Sequence, residues 1–181
     1  MPDGQVLTNV TGDIGILANT VSSLGTDLDC LESVGGEITI FTNQNLVSVD
    51  NFNQVTSLGD VTIGNNAALT EVTGFNSILE AGEIIVNNNA NIERITGFSS
   101  LTTASKIFIG DGGNQIVSIA GFSSLVTVNG ELRLEELSDL ANLNELTSLT
   151  TVTGACTISP ESLLDSAPQN VQEACGFVPP P

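Results

Sequence analysis

The feature that most constrains this chain is a repeat of about two dozen residues. Aligning the segments GDIGILAN from Gly12, GEITIFTN from Gly36, GDVTIGNN from Gly59, GEIIVNNN from Gly82, SKIFIGDG from Ser105, GELRLEEL from Gly130 and GACTISP from Gly154 gives spacings of 24, 23, 23, 23, 25 and 24 residues. A fixed period of this length marks a solenoid: one coil cannot cover its own apolar residues, and stacked neighbours cover them for each other. Six coils repeat and a seventh begins.

Within a coil the pattern is G-x-I-x-I-x-x-N-x-x-L-x-x-V-x-G-F-x-x-L-x-x-V. The opening segment alternates apolar and polar, as a half-buried strand does. Its inward columns are Ile14, Ile38, Val61, Ile84, Ile107, Leu132, Cys156 and Ile16, Ile40, Ile63, Val86, Ile109, Leu134, Ile158. They are rich in the β-branched residues that favour strands. Later columns run Leu46, Leu69, Ile92, Ile116, Leu140 and Val49, Val72, Ile95, Ile119, Leu143. Leu28, Phe52, Phe75, Phe98, Phe122 and Leu146 read as a stacked aromatic spine.

The polar columns are as ordered. Asn19, Asn43, Asn66 and Asn89 share one position, where inward amides can satisfy backbone groups freed at a turn and bond one another. Asp27, Asn51, Gly74, Gly97, Gly121 and Glu145 precede the spine; most tolerate positive φ, which predicts a tight turn at that residue. The expectation is a right-handed parallel β-solenoid of about six coils of 23–25 residues starting near 12, 36, 59, 82, 105 and 130. It occupies 1–176 as one domain, with a C-terminal cap over 154–176 and a proline-rich tail over 177–181. The strands should lie about 4.8 Å apart along the axis.

Residues 12–158 resemble the leucine-rich-repeat superfamily, and within it the receptor L-domain type of receptor ectodomains and fungal cell-wall anchored proteins. The motif I-x-I-x-x-N-x-x-L, seen from Ile38 to Leu46 and Val61 to Leu69, carries the resemblance, with G-F-x-x-L from Gly74, Gly97 and Gly121. It implies an extracellular, ligand-binding or wall-associated module. The chain departs from that type in having no cysteine-rich module beside the repeats, and in losing Asn at Gly112 and Leu137.

Composition removes whole classes of function. Twenty-one acidic residues face Arg94, Lys106 and Arg133, a net charge of −18. That excludes a nucleic-acid binder, which needs clustered cations, and attraction to an anionic membrane surface. Nowhere do 18 apolar residues run together to span a bilayer, and the N-terminus has no basic region followed by an apolar stretch. Without His, and with Cys156 in an inward column, Ser-His or Cys-His machinery is missing, so no enzyme is expected. Gly110-Asp-Gly-Gly-Asn114 resembles a calcium-binding turn but supplies one carboxylate, and reads better as a loop insertion.

Three cysteines leave one odd. A Cys156–Cys175 disulfide would draw the tail QNVQEACGFV, a candidate short helix, over the open end of the core. The alternative is one buried thiol and one unrelated. Cys30 stands in a column of outward polar residues (Gln54, Ser77, Ser100, Ser124 and Ser148), where it would stay free, pair with something upstream or link two chains.

The candidate ligand face is the outward side of the first strand. Its flank reads Asp13, Glu37, Asp60, Glu83, Lys106, Glu131, and its middle reads Gly15, Thr39, Thr62, Ile85, Phe108, Arg133, Thr157. Like charges in register repel, so Glu37, Asp60 and Glu83 are a weak candidate for calcium, the one cofactor considered. An exposed Phe108 beside Ile85 would add an apolar spot. The expected function is recognition or adhesion at a cell surface, binding protein or glycan. The alternatives are a subunit stacking end to end into a fibre or wall layer, and ice binding through the Thr pair.

Overall fold

A computed structural model describes residues 7–110, 112 and 115–177. The chain winds as a parallel β-solenoid of about six turns, and each turn has three short extended sides. The first side carries β2 (Ile14–Leu17), β4 (Ile38–Phe41), β6 (Val61–Gly64), β8 (Glu80–Asn87), β10 (Thr103–Gly110), β12 (Leu132–Leu134) and β14 (Cys156–Ile158). The second carries β5 (Ser48–Val49), β7 (Glu71–Val72) and β9 (Arg94–Ile95). The third carries β1 (Asn9–Val10), β3 (Ser33–Val34), the opening halves of β8 and β10, β11 (Thr127–Val128) and β13 (Thr151–Val152). Every pairing joins one coil to the next in parallel, as Ile38↔Val61 and Val61↔Ile84 illustrate.

The core is a set of continuous columns. Ile38, Val61, Ile84, Ile107 and Leu132 are buried in one column and Ile40, Ile63, Val86, Ile109, Leu134 and Ile158 in the next. At the corner between the second and third sides, Phe52, Phe75, Phe98 and Phe122 stack with ring centroids 5.0, 4.9 and 5.6 Å apart and planes within 12° of parallel. The two ends of these columns are looser: Ile14 and Ile16 of the first coil and Cys156 of the last pack against the core half-buried.

Two sequence expectations about polar positions are corrected. Positive φ falls on the spine itself, at Phe52, Phe75 and Phe98 (φ 65°, 65° and 63°), one residue after the expected turn position. The glycines before them serve close approach instead: a Cβ on Gly97 would overlap the carbonyl oxygen of Gly74, and one on Gly121 that of Gly97. Gly121→Ala must therefore spread two coils. It should cost about 1–3 kcal/mol, as overpacking does. Gly12→Ala, whose Cβ would meet nothing within 4 Å, should be neutral in the same thermal melts.

The second correction concerns the Asn column. Asn43, Asn66 and Asn89 are buried, but Asn19 is exposed because its coil is the outermost described. Further along, Leu137 replaces Asn as a buried apolar residue whose amide bonds to Ser159 O. The turn at 110–114 falls mostly outside the described residues, as does the tail after Phe177.

The C-terminal end is sealed. Helices α1 (Glu161–Asp165) and α2 (Gln169–Ala174) cross it, burying Leu163 and Val171. Asn170 Nδ2 donates to the carbonyls of Leu146 (3.0 Å) and Leu149 (2.8 Å), which ties α2 to the last coil. A disulfide joins Cys156 to Cys175 across 19 residues, Cα atoms 5.2 Å apart. Replacing both by Ser should lower stability by roughly 3 kcal/mol, the chain-entropy value for a loop of that length. Hydrogen exchange should show the loss of protection in α2 first, with β6 and β8 unchanged.

Candidate functional site

Parallel register turns the outward residues of the first side into a strip one residue wide per coil. Gly15, Thr39, Thr62, Ile85, Phe108, Arg133 and Thr157 are paired neighbours along it. Thr39, Thr62, Ile85 and Arg133 are half-buried by the side chains around them.

The expected exposed Phe108 is not exposed. The residue is 8% accessible, with the Arg133 guanidinium 4.5 Å from the ring centroid. A guanidinium over an aromatic face is attracted by the ring quadrupole, and the planar group shields the ring from water. Arg133 also pairs with Glu135, two residues along the same strand edge.

The acidic flank is arranged differently from a stack of facing carboxylates. Asp13 Oδ1 accepts the backbone N–H of Glu37 (3.0 Å) and Asp60 Oδ1 that of Glu83 (2.7 Å). Thr39 donates its hydroxyl to Glu37 Oε1 (2.7 Å). Asp, with one methylene, reaches the next coil's amide; Glu, with two, overshoots it and turns to the strip. The alternation of Asp and Glu thus separates neighbouring charges. Lys106 then lies between Glu83 (3.9 Å) and Glu131 (3.5 Å). These are exposed pairs worth little each, but they orient the flank. Glu37, Asp60 and Glu83 are not gathered into a cation site: among the described residues no three Asp, Glu or Cys side chains are grouped to hold a metal ion.

A third outward column, Leu17, Phe41, Gly64 and Asn87, was overlooked in the sequence. Leu17 is 58% exposed and Phe41 half-buried. The Phe41 ring lies over Gly64, where a Cβ would come within 2.8 Å of it. The apolar surface of this face is therefore Leu17, Phe41 and Ile85, rather than Phe108. The period-two alternation that sends Thr39 outward sends Phe41 outward as well, so the signal was present.

Cys30 is exposed and unpaired in the structure, on the far side of the coil from this strip. Compared with protein-family models, with curated proteins and with solved structures, the chain matches none. The resemblance to leucine-rich repeats rests on the residues that carry it.

Proposed function

We propose that this chain is a non-enzymatic recognition or adhesion module of the leucine-rich-repeat kind, acting outside the cell or at its surface. It holds a protein or a glycan against the outward strip of the first side. The observation that carries this reading is the in-register run of Thr39, Thr62 and Ile85 with Phe41 beside it, bordered by carboxylates. Hydroxyls, a branched apolar side chain and a flat ring on one rigid sheet offer both hydrogen bonds and desolvated area, the mixture that recognition surfaces use. The Cys156–Cys175 disulfide supports an oxidising compartment.

The fibre reading is weaker, because end-to-end stacking needs two open ends and α1 with α2 covers one. Ice binding rests on two adjacent Thr residues, which Ile85 interrupts.

The test is binding to arrays of purified polysaccharides and cell-surface proteins, using the parent and Thr62→Lys/Ile85→Glu. The strip variant should lose roughly tenfold or more in affinity, as interface anchors do when charged. A control, Thr102→Lys on the third side, should bind as the parent. Equal binding by the strip variant and the parent would remove the strip from the function.

A further inference from the structure

The two ends of the solenoid are finished differently. Helices α1 and α2 cross the C-terminal end, while no described strand lies against the outer edge of β2 at the other. There each core column stops short of burial. Leu7 is exposed where Leu31 is buried, and Val10, Ile14, Ile16 and Leu28 are half-buried where Val34, Ile38, Ile40 and Phe52 are buried. Between Ile16, Val21, Leu24 and Leu28 the end face has a hollow of about 270 Å³.

The backbone of β2 is used on one edge. Ile14 N and Ala18 N donate to the second coil, at Glu37 O (2.8 Å) and Phe41 O (3.0 Å). Backbone groups alternate in direction along a strand, so the N–H and C=O of Gly15 and Leu17 point the other way, out of the end. An open apolar edge is a template for pairing, and chains blunt it with charge or Pro where pairing is unwanted. This one is not blunted. Residues 14–26 contain no Asp, Glu, Lys or Arg, whereas the same stretch in the later coils (38–50, 61–73, 84–96, 107–119 and 132–144) always contains at least one. In a chain of net charge −18, a neutral end is where a second copy meets little repulsion.

We infer that two copies join head to head about a two-fold axis, β2 pairing antiparallel with the partner's β2. The register that fits sets Gly15 opposite the partner's Leu17 and Leu17 opposite the partner's Gly15, so that each pair exchanges both N–H···O bonds. Gly15 is the one residue of its outward column without a side chain, beside Thr39, Thr62, Ile85, Phe108, Arg133 and Thr157, and it leaves room for the facing Leu17. Ile16 meets the partner's Ile16 on the core side, which carries the apolar column across the axis. Asp13 falls opposite the neutral Asn19, and the two Asp13 residues end about 20 Å apart, beyond the screening length of physiological salt. Because the coils climb as they wind, the third side stands slightly proud of β2 and the second side slightly behind it. The two-fold axis therefore sets Leu7 and Val10 of each copy towards the hollow of the other. Contact of this isologous kind closes at two copies. It rests on the end face alone and does not depend on the recognition reading.

The experiment is analytical ultracentrifugation of the whole chain carrying Cys30→Ser, so that no disulfide between copies contributes. The average mass should rise with concentration from one chain to two and go no further, with a midpoint of roughly 1–100 µM, as suits a small interface. Amide exchange at Gly15 and Leu17 should slow over the same range. Leu17→Glu, at an exposed side chain, should raise the midpoint by about tenfold or more. Gly15→Pro, which deletes an N–H that the coil does not use, should abolish the dimer, since Pro is tolerated on an edge strand but cannot donate. Leu79→Glu, an equally exposed leucine on the third side (57%), should dimerise as the parent does. In dilute solution Leu17→Glu should melt as the parent, which keeps the comparison sound should Gly15→Pro disturb the strand. Register is read by mixing Gly15→Cys with Leu17→Cys: the mixture should form a disulfide in air faster than either protein alone, the paired Cα atoms lying about 5.5 Å apart. Mass that stays at one chain up to about 1 mM would overturn the dimer. So would mass that climbs past two, which is end-to-end stacking, or a dimer that survives Leu17→Glu. Cross-linking as fast in either protein alone would overturn the register.

Discussion

Phe75→Ala is expected to destabilise the solenoid by about 3–5 kcal/mol in urea denaturation, the range for truncating a buried Phe. The ring is fully buried between Phe52 and Phe98, with centroids 5.0 and 4.9 Å away. Its neighbours cannot easily collapse into the space. Each spine ring is held by its own coil, and the coil separation is set by hydrogen bonds such as Gly74 N to Val49 O (3.0 Å). A cavity that stays open carries the larger penalty. Position along the spine should show as well. Phe75 and Phe98 each touch two rings, whereas Phe122 touches one, at 5.6 Å; an aromatic pair adds about 0.5–1.5 kcal/mol beyond area. Phe122→Ala should therefore cost less than Phe98→Ala by about that amount. A loss below 1 kcal/mol at Phe75 would mean that the spine does not carry the core.

The spine also shows what sequence reasoning reaches and where it stops. Periodicity identified Phe52, Phe75, Phe98 and Phe122 as one buried column, because a repeat reports which residues must be equivalent in space. It misassigned the backbone. Glycine before Phe has two possible uses, freedom in φ and absence of a Cβ, and the pattern does not distinguish them. Only the stacked coils show that the carbonyl of Gly74 occupies the place of a Cβ on Gly97. Positive φ then passes to the Phe, a bulky residue that adopts it only under strong constraint from its surroundings.

The strip was legible for the same reason as the core: register makes column i outward wherever column i+1 is inward. What one column at a time hid was the traffic between columns. Phe108 looked exposed because its covering side chain, Arg133, comes from the next coil, 25 residues on. The acidic flank looked repulsive because Asp and Glu were read as equivalent charges. Their one-methylene difference sends Asp60 to a backbone amide and leaves Glu83 for Lys106.

Asn66→Leu should be the costliest polar substitution in the chain. Asn66 Oδ1 accepts the backbone N–H of Asn43 (2.9 Å) and its side-chain Nδ2 (3.2 Å), while Asn66 Nδ2 donates to Ile40 O (3.0 Å) and to Asn89 Oδ1 (3.2 Å). Leu shares the branched skeleton of Asn and is accepted fully buried at the equivalent position as Leu137, so apolar burial alone predicts no loss. The polar bookkeeping predicts the opposite. The Asn43 N–H would be left buried without its acceptor, at about 1–3 kcal/mol, and the Ile40 carbonyl would lose its side-chain donor while keeping its place in the β4–β6 ladder. Asn19→Leu supplies the contrast, since that side chain is exposed and its Oδ1 accepts the neighbouring Thr20 N–H (3.0 Å); the change should stay within about 0.5 kcal/mol, as surface substitutions do. Because Asn43 and Asn66 share hydrogen bonds, their leucine variants should not add: with one end of the ladder gone, removing the other strands fewer new groups. Denaturant midpoints of the two single variants and the double one measure that coupling. Strict additivity, or a stable Asn66→Leu protein, would show that the coil corners are held by packing and that the amide ladder is incidental.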